Sequence, residues 1–352
     1  MSRGKRHVLI VGAGATGLLT AVRCVRAGHH VTVLDRGAIP NPGSTSYDQH
    51  RAIRSLDPND LDASRRLAGA HWRWLELEEL LSSTIYRRVG TLTAWPGDQI
   101  DHVVEVAAAA NLPISLVTPE AYPHIRFPAD SVGVLEHDAG VLMADHVLWA
   151  IAQWLIRQEG VILRSWAEVV EVQGDEAKVV LADGEVLGGE LVLIATGPWS
   201  QGLVDLPMVM HRQTMVYLKP PADLSKWWAD APSAGQMGVE GQSWLLPPVG
   251  GALLKVSTAT VCREVADLTD HGDEDEAPFA DRIMAESVVT DPDRYQVMAV
   301  KRCHYLVDAG TRQAHLVRIG PNVWARTASG GDGFRTAPLV ADRIAEAAAE
   351  LL

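Results

Sequence analysis

The chain has 352 residues, 47% of them hydrophobic and 21% charged, the composition of a folded globular protein with enough length for two domains. Its 31 basic and 44 acidic side chains leave a net charge of -13, which argues against a polyanion binder, so no nucleic acid partner is expected. Three scattered cysteines make neither a disulfide framework nor a zinc site, and no run reaches the roughly 18 apolar residues of a membrane span; a cytoplasmic protein with no membrane partner and no metal is expected.

The first segment, HVLIVGAGATGLLTAVRCVRAGHHVTVLDRG, reads as a strand, a glycine turn, a helix over about 15–26 and a second strand. In this βαβ pattern Gly12 permits the tight turn, Gly14 admits a pyrophosphate close to the backbone, and Gly17 lets the helix sit on the sheet. The helix N-terminus then offers free N–H groups and a positive dipole end to phosphates, and Asp35 is placed to accept from a ribose. By itself the unit serves FAD or NAD equally.

Downstream, SYDQHRAIRS carries two arginines three residues apart, a spacing that in isolation belongs as readily to a solvated face. WAIAQWLIRQ reads as an amphipathic helix whose Trp149 and Trp154 pack, and AEVVEVQGDEAKVVLADGEVLGGE as strands joined by turns at Gly174-Asp175 and Asp183-Gly184. The strand Leu191 to Ile194 then enters the small-residue turn Ala195-Thr196-Gly197. In PPVGGALLKVSTAT, Lys255 interrupts an apolar run. It either points out of an edge strand or is buried with a task, because burying its charge is expensive unless something anionic or reactive requires it. DHGDEDEAPF reads as a solvated acidic loop. In MAVKRCHYLVDAG, Cys303 follows Lys301 and Arg302, neighbours that favour a thiolate, although alternation along a strand puts Arg302 and His304 on the opposite face. Cys24 and Cys262 read as ordinary thiols.

The N-terminal unit, the ATG turn and the C-terminal ASGGDGFRTAPLVADRIAEAAAELL together resemble the D-amino acid oxidase superfamily, with most likeness to its monomeric sarcosine oxidase, N-methyltryptophan oxidase and glycine oxidase branch. The resemblance is strong at both ends and weak between about Leu56 and Pro128. It implies an α/β (α+β) fold: a discontinuous Rossmann-type FAD-binding domain from 1–85, 138–205 and 315–352, and an antiparallel-sheet substrate domain from 86–137 and 206–314. It implies FAD contacts at Gly12, Gly14, Gly17, Asp35, Arg36, Val170, Ala195, Gly197, Gly331, Gly333 and Phe334. Cys303, in a Cys-x-Tyr with Tyr305, matches the cysteine that joins the flavin 8α carbon in that branch.

The same resemblance places Arg51 near the flavin, Arg54 and Arg335 on the substrate carboxylate, and Lys255 near flavin N5, where it promotes reaction with O2. Arg335 stands in place of the family's lysine. His50 replaces a threonine, Ala259 a histidine, and Trp244 falls about where a tyrosine lines the pocket. The implied function is oxidation of a secondary, N-substituted or cyclic amino acid, with hydride transfer from the α-carbon to flavin N5, an imine product and reoxidation by O2 to H2O2. His50 and Arg51 are expected beside Lys255 in catalysis. The alternatives are a flavin monooxygenase driven by NADPH and a flavoprotein without turnover.

Overall fold

The computed structural model describes residues 4–268, 276–327 and 329–351. The first strand, His7–Val11, pairs in parallel with His30–Leu34 on one side and Leu191–Ile194 on the other. Its residues are apolar without alternation because both faces are covered. Val8 and Ile10 enter a core with the helix Ala15–Arg26, whereas Leu9 and Val11 enter a second core on the opposite face. Outer strands complete a sheet of six in the order Val317–Gly320, Val323–Ala325, Leu191–Ile194, His7–Val11, His30–Leu34, Val161–Arg164.

Three layers result. On one face the N-terminal helix packs with the helices Ala144–Ile156 and Gly333–Glu350; on the other lies the three-stranded sheet Val169–Gln173, Lys178–Leu181, Val186–Gly188. Trp154 packs against the helical layer, while Trp149, expected to pack as well, is 47% exposed and donates through Nε1 to Tyr47 Oη at 3.3 Å.

The second body is a nine-stranded sheet built from strands within 91–136 and 208–308. Its pairs are antiparallel except Ser233–Gly235 against Thr91–Thr93. The strand Leu254–Thr258 lies between Met208–Lys219 and Ser243–Leu246, so Lys255 occupies an interior strand and is 1% exposed. That resolves the choice between an edge and a buried lysine. A fourth, small sheet joins Arg51–Ile53, Gly140–Leu142 and Tyr86–Arg87 between the two bodies.

The stretch without a family signature holds the 21-residue helix Leu61–Leu81, N-capped by Asp60, whose side chain accepts from Ala63 N. Of the expected acidic loop, residues 270–275 lie outside the described residues. Glu276 departs from the solvated reading: it pairs with the buried Arg212 and with Arg263 at 3.2 Å. Among the described residues no helix is long and apolar enough to cross a membrane, and no cluster has the makings of a metal site.

Candidate active site

The cavity begins at the glycine turn. Gly12 has φ +102°, and a Cβ there would lie 2.4 Å from Ala195 O, so the turn is pressed against the end of the neighbouring strand and admits only glycine. Gly17 is needed for a different contact: its Cβ would meet Gly12 O at 1.9 Å, where the helix crosses its own approach strand. Ser46 Oγ accepts from Ala15 N at 3.0 Å and takes up one of the helix's free N–H groups. Asp35 is 7% exposed and braces the turn, its Oδ2 accepting from Ala13 N and its Oδ1 from Gly37 N and Asn41 Nδ2, each at 2.9 Å.

Two cavities, of about 380 and 600 Å³, meet along Gly14, Thr45, Ser46, Ala195, Gly197 and Pro198. The smaller contains Gly12, Asp35, Arg36 and Val170. The larger continues past Cys303 to Lys255 and Trp244, and is closed by Gly331, Gly333, Phe334 and Arg335 at the N-terminus of the last helix, with Arg51 and Arg54 on its wall. This space, with a tight glycine turn and two helix N-termini facing it, fits a dinucleotide, and Asp35 and the junction are where its ribose and pyrophosphate would be held. Of the expected site residues, Gly17 and His50 do not face it.

At the far end the charged side chains interlock. Lys255 Nζ donates to Asp48 Oδ2 at 3.0 Å and to His50 O at 2.7 Å. Burial, then the Arg51 charge, pull Lys255 down to about 7 against the opposing pull of Asp48. Asp48 also accepts from Arg51 and, on Oδ1, from Tyr217 Oη at 2.7 Å. Burial alone raises its pKa, but Arg51, Lys255 and Tyr217 outweigh it and hold the carboxyl well below the usual range. Asp48 escaped the sequence reading; the available signal was an acid three residues before Arg51 in DQHR. The His50 ring is in the interior, where Nε2 meets Pro247 O at 3.0 Å and burial with Lys255 pulls it down to about 3. Its backbone carbonyl, not its ring, touches the lysine.

Arg54 and Arg335 converge on the wall. Arg335 donates to Arg54 O at 3.0 Å and pairs with Asp332 at 2.7 Å. Arg54 makes only a long contact to Leu56 O at 3.4 Å among the described residues. Burial, then Arg335, lower its pKa, and a bound anion would offset both. Glu136, 4% exposed, fixes the backbone beneath it by accepting from Ser55 N at 2.8 Å and Leu56 N at 3.1 Å.

Cys303 lines the cavity; Arg302 and His304 stay off its sulfur as strand alternation implies, but the thiol is not depressed. Burial pushes the thiol up; Arg51 is the strongest opposing influence, and Lys301 helps, whereas Arg302 and His304 are not among the causes. The strongest influence opposing burial thus comes from another segment of chain. Cys24 is wholly buried and pushed up to about 12, an inert core thiol. Cys262 lies 3.2 Å from Tyr305 Oη and 3.5 Å from His211 Nδ1.

Monomeric sarcosine oxidase from Bacillus sp. (strain B-0618) is 23% identical over 274 residues, covering 73% of this chain and 69% of the relative. Human peroxisomal sarcosine oxidase is 24% identical over 220 residues, covering 59% of this chain, and the match spans 56% of its length. Among solved structures, NikD, an amino acid oxidase essential for nikkomycin biosynthesis, superposes with a TM-score of 0.77 at 19% identity, covering 98% of this chain and 94% of that one. The Aspergillus fumigatus fructosamine oxidase Amadoriase II gives 0.76 at 19% identity, covering 97% and 86%. The model of FAD dependent oxidoreductases of the DAO family matches residues 7–347, nearly the whole chain and every segment that lines the cavity: the protein belongs to that family.

Proposed function

We propose that the protein is an FAD-dependent oxidase of a secondary, N-substituted or cyclic amino acid, with O2 as the acceptor and H2O2 as a product. The observation that carries the reading is the pair of converging guanidiniums, Arg54 and Arg335, in a cavity that also holds the buried Lys255. A planar fork suits bidentate binding of a carboxylate, and Arg54 has no competing acid at ion-pair distance among the described residues. Bound FAD would supply the two-electron acceptor.

The protein's own groups orient and polarise. Arg54 and Arg335 hold the carboxylate and so fix where the α-carbon lies. Lys255, with its ammonium anchored by Asp48 and His50 O, presents positive charge to the oxygen-reduction step. No strong base is required when the amine binds neutral. Ala259 and Trp244 line the cavity with Lys255, whose Nζ is 6.0 Å from the Trp244 ring centre, and the alanine leaves room that a larger side chain would fill. This favours substituents bulkier than the methyl group of sarcosine.

The test is peroxide release from the purified holoprotein with a panel running from sarcosine through larger N-alkyl glycines to cyclic imino acids. Turnover should rise with the substituent's size and fall at least a hundredfold in Arg54→Leu, about the loss expected for a charge-assisted pair worth roughly 3 kcal/mol. Sarcosine as the best substrate would overturn the bulky-amine reading. NADPH-driven turnover without an amine would replace the oxidase reading altogether.

A further inference from the structure

Arg326 was not singled out in the sequence and has no part in the carboxylate clamp. It follows the strand Val323–Ala325, with its N–H bonded to Ile194 O, and lines the larger cavity close to the start of the last helix. It is 6% exposed. Its Nη2 donates to Thr336 Oγ1 at 2.8 Å, and no carboxylate lies within ion-pair distance among the described residues. The electrostatically nearest acid, Asp332, gives its Oδ1 to Arg335 instead. Burial accordingly pulls Arg326 down to about 10, an uncommon situation for a guanidinium. A buried cation with one neutral partner is costly unless an anion completes it.

Position along the cavity says which anion. The pyrophosphate of a dinucleotide belongs at the N-terminus of the first helix, where the two cavities meet. Arg326 lines only the larger cavity, past that junction, where the first turn of the helix Gly333–Glu350 also directs its positive end. We propose that Arg326 binds the pyrimidine edge of FAD, the part of the cofactor that gains negative charge on reduction, and so raises the reduction potential of the bound flavin. This rests on membership of the FAD-dependent family and not on the identity of the amine.

The experiment measures the midpoint potential of the holoprotein for wild type, Arg326→Met, Arg326→Gln and Arg326→Lys. Affinity for oxidised FAD is measured alongside in a Cys303→Ala background, so that the cofactor can be removed. Loss of the cation should cut the preference for reduced over oxidised FAD about tenfold, which lowers the potential by about 30 mV for a two-electron couple, with the lysine variant recovering most of it. Affinity for oxidised FAD should change less than threefold. An unchanged potential in the methionine or glutamine variant overturns the proposal. An unchanged potential with a tenfold loss of FAD affinity overturns it in favour of a pyrophosphate contact. If Arg326→Met does not fold, the glutamine variant, which keeps a hydrogen bond to Thr336, provides the same reading.

Discussion

Asp48 is a single carboxylate that two cations and a phenol share, and removing its charge has separable effects. Asp48→Asn leaves Arg51 and Lys255 facing each other without their counter-charge, and breaking a buried pair of this kind costs about 3–5 kcal/mol of stability. Asp48 also opposes the downward shift of Lys255, so its loss takes the lysine below about 7. Stopped-flow oxidation of the reduced holoprotein should show a rate that falls as pH rises through about 7 in wild type, with the inflection lower in Asp48→Asn. A common inflection would dissociate the oxygen step from this pair. The sign for stability follows from the depressed carboxyl: the contribution of Asp48 is fully present above its unfolded value near 3.9, and it is lost as pH falls through the much lower folded one.

Cys303 allows a second test at the same scale. Burial raises its thiol and Arg51 is the strongest influence the other way, while its place on the cavity wall is the condition a thioether to the cofactor would need. Acid precipitation should carry the yellow colour into the pellet of wild type and leave it in the supernatant of Cys303→Ala. Colour in both supernatants would make the FAD noncovalent.

Among the elements, the glycine turn and its helix were the most legible part of the sequence. Strand, turn and helix obey local rules there, and the helix observed, Ala15–Arg26, has the bounds that the pattern gave. Gly17→Ala forces a methyl group into Gly12 O, so the helix must move off the strand; a loss of about 1–3 kcal/mol in urea unfolding is expected, with weaker FAD binding. Unchanged stability would mean that the helix is free to shift. Other elements were not legible because their determinants are distant. The helix Leu61–Leu81 has an ordinary amphipathic face and an Asp cap, which mark a helix but say nothing about the cavity. Lys255 could be placed in a strand but not inside a sheet, since its neighbours Met208–Lys219 and Ser243–Leu246 are known only from pairing. His50 read as a site residue because of its position beside Arg51. Its ring instead meets Pro247 O in the interior, and its carbonyl faces the lysine.

For the whole molecule, the two largest sheets are recognisable in the sequence as a βαβ pattern and a set of strands, and the resemblance supplied the expectation that they form one fold. What it could not supply was the electrostatic inventory of the cavity. Arg326 sits in an unremarkable strand end, and Asp48 in a polar turn; each matters because the fold brings it against groups more than a hundred residues away or buries it without an acid. Burial is a property of the assembled molecule, and so are the shifts in Lys255, Arg54 and Arg326 that follow from it.

The short strip 45–54 lines the larger cavity and its junction with the smaller one, and it is tied down from remote parts of the chain. Thr45 bonds a carbonyl 259 residues away, Lys255 reaches Asp48 across 207, and Arg335 reaches Arg54 across 281. Contacts of such separation close late, because the loop entropy must be overcome before they contribute. The strip is therefore fixed only once the segments around Lys255, His304 and Arg335 have packed against it. The glycine turn and its helix form from local contacts, whereas the opposite wall of the cavity needs these distant segments, so a closed cofactor site is a late product of folding. Shortened chains that keep the dinucleotide motif would emerge with a recognisable phosphate cradle and no working site.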